Sequence, residues 1–149
     1  MKKGDPGLEI LKSIFNSYMK LLQNDPVSFA QKTTPLNIIR YTPQKILTVC
    51  NLALPIIKNE PTLIHTNSPA IIVGDIHGQL IDLLRIFKEN GLPNKTKYIF
   101  LGDYIDRGQF NLDVILFLLV LKVLFNHTNN LYLLRGNHEF HSSCSKGGF

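Results

Sequence analysis

Tryptophan is absent from this chain, methionine and cysteine each occur only twice, and no apolar run approaches the ~20 residues that a membrane-spanning helix requires. The two cysteines, Cys50 and Cys144, lie far apart without metal-ligand spacing. They support neither a disulfide framework nor a cysteine-based zinc site, and the expectation is a reduced, cytoplasmic or nuclear setting. The opening Met1-Lys2-Lys3-Gly4-Asp5-Pro6 lacks an apolar h-region followed by a small-residue cleavage site, so no secretion signal is read there. The most apolar stretch, Val114 to Leu121, runs straight into Lys122 and is expected as a buried helix. Asn126-His127-Thr128 matches a glycosylation sequon, but without a signal peptide it is read as a loop. Clustered charge is also missing. Sixteen Lys and Arg against eleven Asp and Glu give a net charge of +5, yet no basic run exceeds Lys2-Lys3. A nucleic-acid footprint would be clustered, so neither nucleic acid nor membrane is expected as a partner, and the excess reads as a solvated surface.

What is present suits a single packed domain: 149 residues, 44% apolar and 18% charged. From Leu8 to Leu22 the residues Leu8, Leu11, Ile14, Phe15, Tyr18, Met19 and Leu22 recur at threes and fours, one face of an amphipathic helix ended by Asp25-Pro26. A polar, irregular stretch follows to Arg40. Thr42-Pro43 then reads as an N-cap with proline at the first helical position. The second helix runs to about Ile57 and is expected to present Ile46, Leu47, Cys50, Leu54 and Ile57 on one packing side.

After Pro69 the pattern changes. Ala70-Ile71-Ile72-Val73, Tyr98-Ile99-Phe100-Leu101 and Leu131-Tyr132-Leu133-Leu134 are short apolar runs, the first two ending at glycine and the third at Arg135-Gly136. Such runs are expected as strands buried on both faces. Leu80, Leu83, Leu84 and Phe87 mark a helix closed by Asn90-Gly91, and a second helix opened by Asn111 covers about Leu112 to Phe125. The fold class is therefore α/β, a βαβαβ parallel sheet with right-handed crossovers, preceded by helices. The spacing from Asp75 to Asp103, and from Asp103 to Asn137, is near the ~30 residues of a βαβ unit.

Each strand ends in a glycine-containing turn rich in metal-competent side chains: Gly74-Asp75-Ile76-His77-Gly78, Gly102-Asp103-Tyr104-Ile105-Asp106-Arg107-Gly108 and Gly136-Asn137-His138-Glu139. In a parallel sheet these carboxyl ends converge on one edge, where ligands bind in open α/β folds. Asp75 and His77, two apart, fall on the same side of an extended backbone. Carboxylate, imidazole and amide oxygen form a mixed ligand set suited to manganese, iron or zinc more than to calcium. An aspartate with two oxygens can bridge two ions, and a pair of metals suits phosphate ester hydrolysis. Arg107 offers a planar fork for phosphate oxygens. Asp106 is placed to hold His138 in the tautomer needed to protonate a departing alkoxide. Arg135 and Glu139 are expected in supporting roles, and His65, His127 and His141 as solvated.

From about Thr42 to Phe149, including Gly91-Leu92-Pro93 and Leu133-Leu134-Arg135-Gly136-Asn137-His138-Glu139, the chain resembles the metal-dependent phosphoprotein phosphatases, the superfamily of protein phosphatase 1, protein phosphatase 2A and calcineurin. The resemblance implies a calcineurin-like metallophosphoesterase β-sandwich that dephosphorylates phosphoserine and phosphothreonine with two divalent metals, manganese or an iron and zinc pair. It implies Asp75 and His77 on the first metal, Asp103 as bridge, Asn137 on the second, Arg107 with Asn137 and His138 on the phosphate, and His138, paired to Asp106, as general acid. Phosphoprotein substrates and regulatory subunits are the implied partners. The division expected is residues 1–41 as a helical extension and 42–149 as an incomplete catalytic domain.

The sequence departs from the family where Asn111 stands in place of a serine and Gly147 in place of an aromatic. Two further histidines that the resemblance implies downstream have no counterpart after Glu139, so the second metal site is expected to be incomplete. Two other functions stay open on the residues. One is a truncated remnant that binds phosphopeptides or competes for regulatory subunits. The other is a dinucleoside polyphosphate hydrolase, against which Asp106-Arg107-Gly108 and Glu139 weigh.

Overall fold

The computed structural model describes residues 5–23 and 39–147. Helices α1 (Pro6–Gln23) and α2 (Pro43–Lys58) precede β1 (Ile71–Val73), α3 (Leu80–Asn90), β2 (Tyr98–Phe100), α4 (Asn111–Leu124), a 3-10 turn (Asn126–Thr128), β3 (Leu131–Leu133) and α5 (His141–Gly147). The polar stretch expected before Arg40 lies almost wholly outside the described residues, as do Gly148 and Phe149. No described helix is long and apolar enough to cross a membrane.

The three strands are parallel in the order β1-β2-β3. Register places Ile71, Tyr98 and Leu131 in one row, Ile72, Ile99 and Tyr132 in the next, and Val73, Phe100 and Leu133 in the third. Successive side chains alternate faces, so the outer two rows share the face that packs on the helices. Tyr98, Phe100, Val73 and Leu131 are buried there with Phe87 and Phe117. The middle row points the other way, and Ile72 is 65% exposed. This corrects the expectation of strands buried on both faces. A run as short as Ile-Ile-Val reads alike whether one or both of its faces are covered.

The cap expected at Thr42 forms, its Oγ1 accepting from the Lys45 N–H. The packing side of α2 agrees with the expected one only at Ile46, which packs against the core. Val49 and Ala53 are buried, whereas Leu47, Leu54 and Ile57 are exposed, as is Cys50. Val49 and Ala53 lie on the flank of α2 that faces its neighbours, and an apolar stripe alone does not say which of its flanks does so. Helix α1 buries Leu11, Ile14 and Tyr18 as its period predicts. Tyr18 stacks against Phe117 at 4.4 Å between ring centroids, and its hydroxyl bonds Asp113 Oδ1 at 2.8 Å and also meets the Tyr41 hydroxyl. The helical N-terminus is thereby part of the same core as the sheet. Lys122 is buried too, its ammonium bonded to Glu60 and to the Leu131 carbonyl, so the charge that ends the apolar run is neutralised inside the fold.

Candidate metal centre

The three turns meet at the carboxyl edge of the sheet and are joined chiefly through backbone groups. The Asp103 carbonyl accepts from the Ile76 N–H at 3.0 Å and the His77 N–H at 2.9 Å, and the Tyr104 carbonyl accepts from the Gly78 N–H at 2.8 Å. These bonds dock the first turn on the second. The third turn is docked by Glu139, whose carboxylate accepts from the N–H groups of Asp103 (2.8 Å), Tyr104 (2.8 Å) and Gly136 (3.0 Å). The Tyr104 hydroxyl adds a bond to the Leu134 carbonyl at 2.6 Å. Burial, and then the Glu139 charge, push that phenol well above its ordinary range.

Such close docking needs glycine. A Cβ on Gly102 would stand 2.1 Å from the Gly136 nitrogen, and Gly102 itself has φ +111°. A Cβ on Gly136 would stand 2.2 Å from Asp103 Oδ1. The neighbouring side chains are bent into unusual backbone as well. His77, Asp103, Asp106 and Arg107 have φ of 44°, 54°, 70° and 67°. Left-handed non-glycine residues cost about 1–3 kcal/mol each and persist only where surrounding structure holds them, most often at functional sites. His77 is therefore not extended, so the alternation argument for Asp75 and His77 fails. Their side chains still come together, with His77 Nε2 at 3.6 Å from Asp75 Oδ2.

His77 donates Nδ1–H to the Ile105 carbonyl at 2.7 Å, which leaves the Nε2 lone pair as its ligand position. His138 donates Nδ1–H to Asp106 Oδ2 at 2.9 Å, and its backbone N–H bonds Asp103 Oδ1 at 2.9 Å. The two imidazoles stand edge to face, 4.6 Å between centroids. Donor atoms of His77, Asp103 and His138 all lie within 4.8 Å of one another. One carboxylate and two imidazoles so close together fit a divalent ion of the manganese, iron or zinc type.

The other expected site residues are less enclosed. Asp75 is at the rim, its side chain 64% exposed. Asn137 and Arg107 are exposed at the same edge. Asp103 and Asp106 are buried, and Asp106 Oδ1 has no hydrogen-bond partner among the described residues. Asn111 is already helical and makes no side-chain cap. Its buried, unpartnered Oδ1 occupies the space that a Cβ on Gly78 would fill. His65, His127 and His141 are exposed. The structural bond from the Tyr104 hydroxyl to Leu134 was not readable from sequence, since only the approach of β3 gives that hydroxyl a partner.

The fold and these turns define a metallophosphoesterase. The calcineurin-like phosphoesterase family matches residues 68–148, more than half of the chain, and the chain belongs to that family. Among relatives, it is 38% identical over 124 residues to serine/threonine-protein phosphatase PP1-delta of Caenorhabditis elegans, covering 83% of this chain and 38% of the relative. It is 42% identical over 107 residues to the PP2A-like phosphatase PPG1 of Candida albicans, covering 72% of this chain and 25% of the relative. A solved Saccharomyces cerevisiae protein serine/threonine phosphatase with similarity to human phosphatase PP5 superposes with a TM-score of 0.66 at 30% identity, covering 90% of this chain and 42% of that one. The chain thus spans less than half the length of these relatives.

Proposed function

We propose that this chain supplies the first-metal ligands, the bridging aspartate and the general acid of a hydrolase acting on phosphoserine and phosphothreonine in proteins. The observation that carries the reading is the convergence of His77, Asp103 and His138 donor atoms within 4.8 Å at the sheet edge. Asp75 and His77 would hold the first ion, Asp103 would serve both, and Asn137 would contribute to the second. Divalent ions, when bound, supply Lewis acidity that neutralises phosphate charge and lowers the pKa of a water nucleophile. Arg107 grips the phosphate oxygens from the exposed edge, with Asn137 and His138 beside it. Because Asp106 accepts the Nδ1 proton, His138 carries a proton on Nε2 only as imidazolium, the form that can protonate the departing serine or threonine oxygen. Residues 42–149 are the phosphoesterase segment in this reading and 1–41 a helical extension; phosphoproteins are the partners.

The test is Mn²⁺ titration of the 149-residue chain by calorimetry, with Asp103→Asn and His77→Ala as variants, followed by binding of a phosphoserine peptide. The expected results are one Mn²⁺ site lost in both variants, and Mn²⁺-dependent peptide binding that Arg107→Ala abolishes. Mn²⁺ uptake indifferent to both ligand variants would refute the assignment. Tighter binding of a dinucleoside tetraphosphate than of the phosphopeptide would move it to another substrate class.

A further inference from the structure

Glu139 stands next to the expected general acid, yet its carboxylate faces away from the ligand cluster into backbone. Oε2 takes two N–H groups, from Asp103 on the second turn and Gly136 on the third, while Oε1 takes the N–H of Tyr104. One side chain therefore clamps two turns that sequence separates widely, and both turns carry ligand candidates. Asp103 is the residue most in need of such a clamp. It is left-handed at φ 54°, only 8% exposed, and its Oδ1 is already committed to the His138 N–H. Release of the Asp103 N–H would free the backbone to relax towards ordinary φ, turning the carboxylate away from His77 and His138.

We propose that Glu139 is a positioning residue for the metal centre, its carboxylate holding Asp103 in ligand geometry, with the His138 backbone docked on it, before any ion arrives. The proposal rests on the metal-site reading given above. The ionised carboxylate is specifically suited to the task. It has acceptors on both oxygens and no donor, whereas the amide of glutamine would turn an N–H₂ towards at least one of the three backbone N–H groups. Aspartate keeps the acceptors and is one methylene too short to reach both turns.

The experiment is Mn²⁺ affinity by calorimetry on the full chain, with amide hydrogen exchange at Asp103, Tyr104 and Gly136 and urea unfolding measured on the same samples. Glu139→Gln is expected to weaken Mn²⁺ binding by about 10- to 100-fold, as for residues that orient metal ligands, and to lose protection at the three amides. Tyr104→Phe is the control. It removes the Leu134 bond between the same strand ends and leaves the carboxylate clamp in place, so it should lower the urea midpoint and keep Mn²⁺ affinity within about twofold of wild type. If Glu139→Gln does not fold without metal, Glu139→Asp takes its place under the same tenfold criterion. Equal affinity in wild type and the Glu139 variant overturns the proposal, and so does a Tyr104→Phe loss as large as that of Glu139→Gln. A wild-type chain that takes up no Mn²⁺ sinks the metal-site reading itself, a result distinct from either.

Discussion

Consider Gly136 and Gly74 replaced in turn by alanine. Both glycines follow the apolar run of a strand and precede a metal-competent residue, so by sequence the two substitutions look equivalent. A Cβ on Gly74 meets nothing within 4 Å. Gly74→Ala should then be neutral, or stabilising by about 0.4–1 kcal/mol through the unfolded chain. A Cβ on Gly136 would lie 2.2 Å from Asp103 Oδ1 and 2.5 Å from the Asp103 nitrogen, whereas real Cβ atoms essentially never come under 3.0 Å. The second and third turns must part by most of an ångström. The bonds that cross between them, Asp103 N–H to Glu139, Tyr104 N–H to Glu139 and His138 N–H to Asp103, start at 2.8 Å, 2.8 Å and 2.9 Å, and such an opening takes them out of useful range.

All three have a carboxylate acceptor, and bonds of this kind contribute about 1.5–3 kcal/mol each. Loss of two gives about 3–6 kcal/mol, a large share of the 5–15 kcal/mol that stabilises an ordinary domain. Urea unfolding followed by circular dichroism reads the difference, a lowered midpoint at unchanged slope signifying lost stability. A Gly136→Ala variant within about 1 kcal/mol of wild type, or a Gly74→Ala variant equally damaged, would refute the claim that the turns are docked backbone to backbone.

Two further outcomes follow from charges inside the fold. Burial raises the Asp113 carboxyl above its usual 3.8, outweighing the lowering effect of the Tyr18 hydrogen bond. A folded-state pKa above the unfolded one favours the protonated form on folding, so this contribution falls as pH rises from below 3.8 through the raised value. Asp113→Asn should therefore gain on wild type between about pH 3 and about pH 7 in urea unfolding; a gap that is flat or narrows contradicts the sign. Lys122→Met removes the partner of Glu60 and the donor to the Leu131 carbonyl, with side-chain exposures of 4% for Lys122 and 23% for Glu60. Breaking a buried pair costs about 3–5 kcal/mol, and the partial exposure of Glu60 brings the expectation to about 2–3. Adding Glu60→Met should recover most of that loss in thermal unfolding, and strictly additive losses would show the pair is not coupled.

The order of elements was legible because local chemistry dictates it. Thr42-Pro43 begins a helix, Asn90-Gly91 ends one, and three apolar runs close at glycine-containing turns. The convergence of Asp75, Asp103 and Asn137 on one edge followed from parallel topology alone. What stayed hidden depends on contacts between distant segments. The side of α2 that packs, with Val49 and Ala53 in place of Leu47 and Leu54, is decided by where α1 and α4 lie against it. The exposure of Ile72, and the partial exposure of Ile99 and Tyr132 beside it, is decided by which face the helices cover.

The site shows the same division at finer scale. Residue types named the chemistry, but the geometry is held by groups that every residue carries. The carbonyls of Asp103, Tyr104 and Ile105 and the N–H groups of Asp103, Tyr104, Gly136 and His138 bind the turns into one body. Backbone groups leave no trace in a sequence except where they forbid a side chain, as at Gly102 and Gly136, or recruit one, as with Glu139. That is why His77 reaches Asp75 through a left-handed bend although the sequence suggested an extended one. It is also why the integrity of this centre should respond more to one methyl group placed between turns than to most changes on its exposed rim.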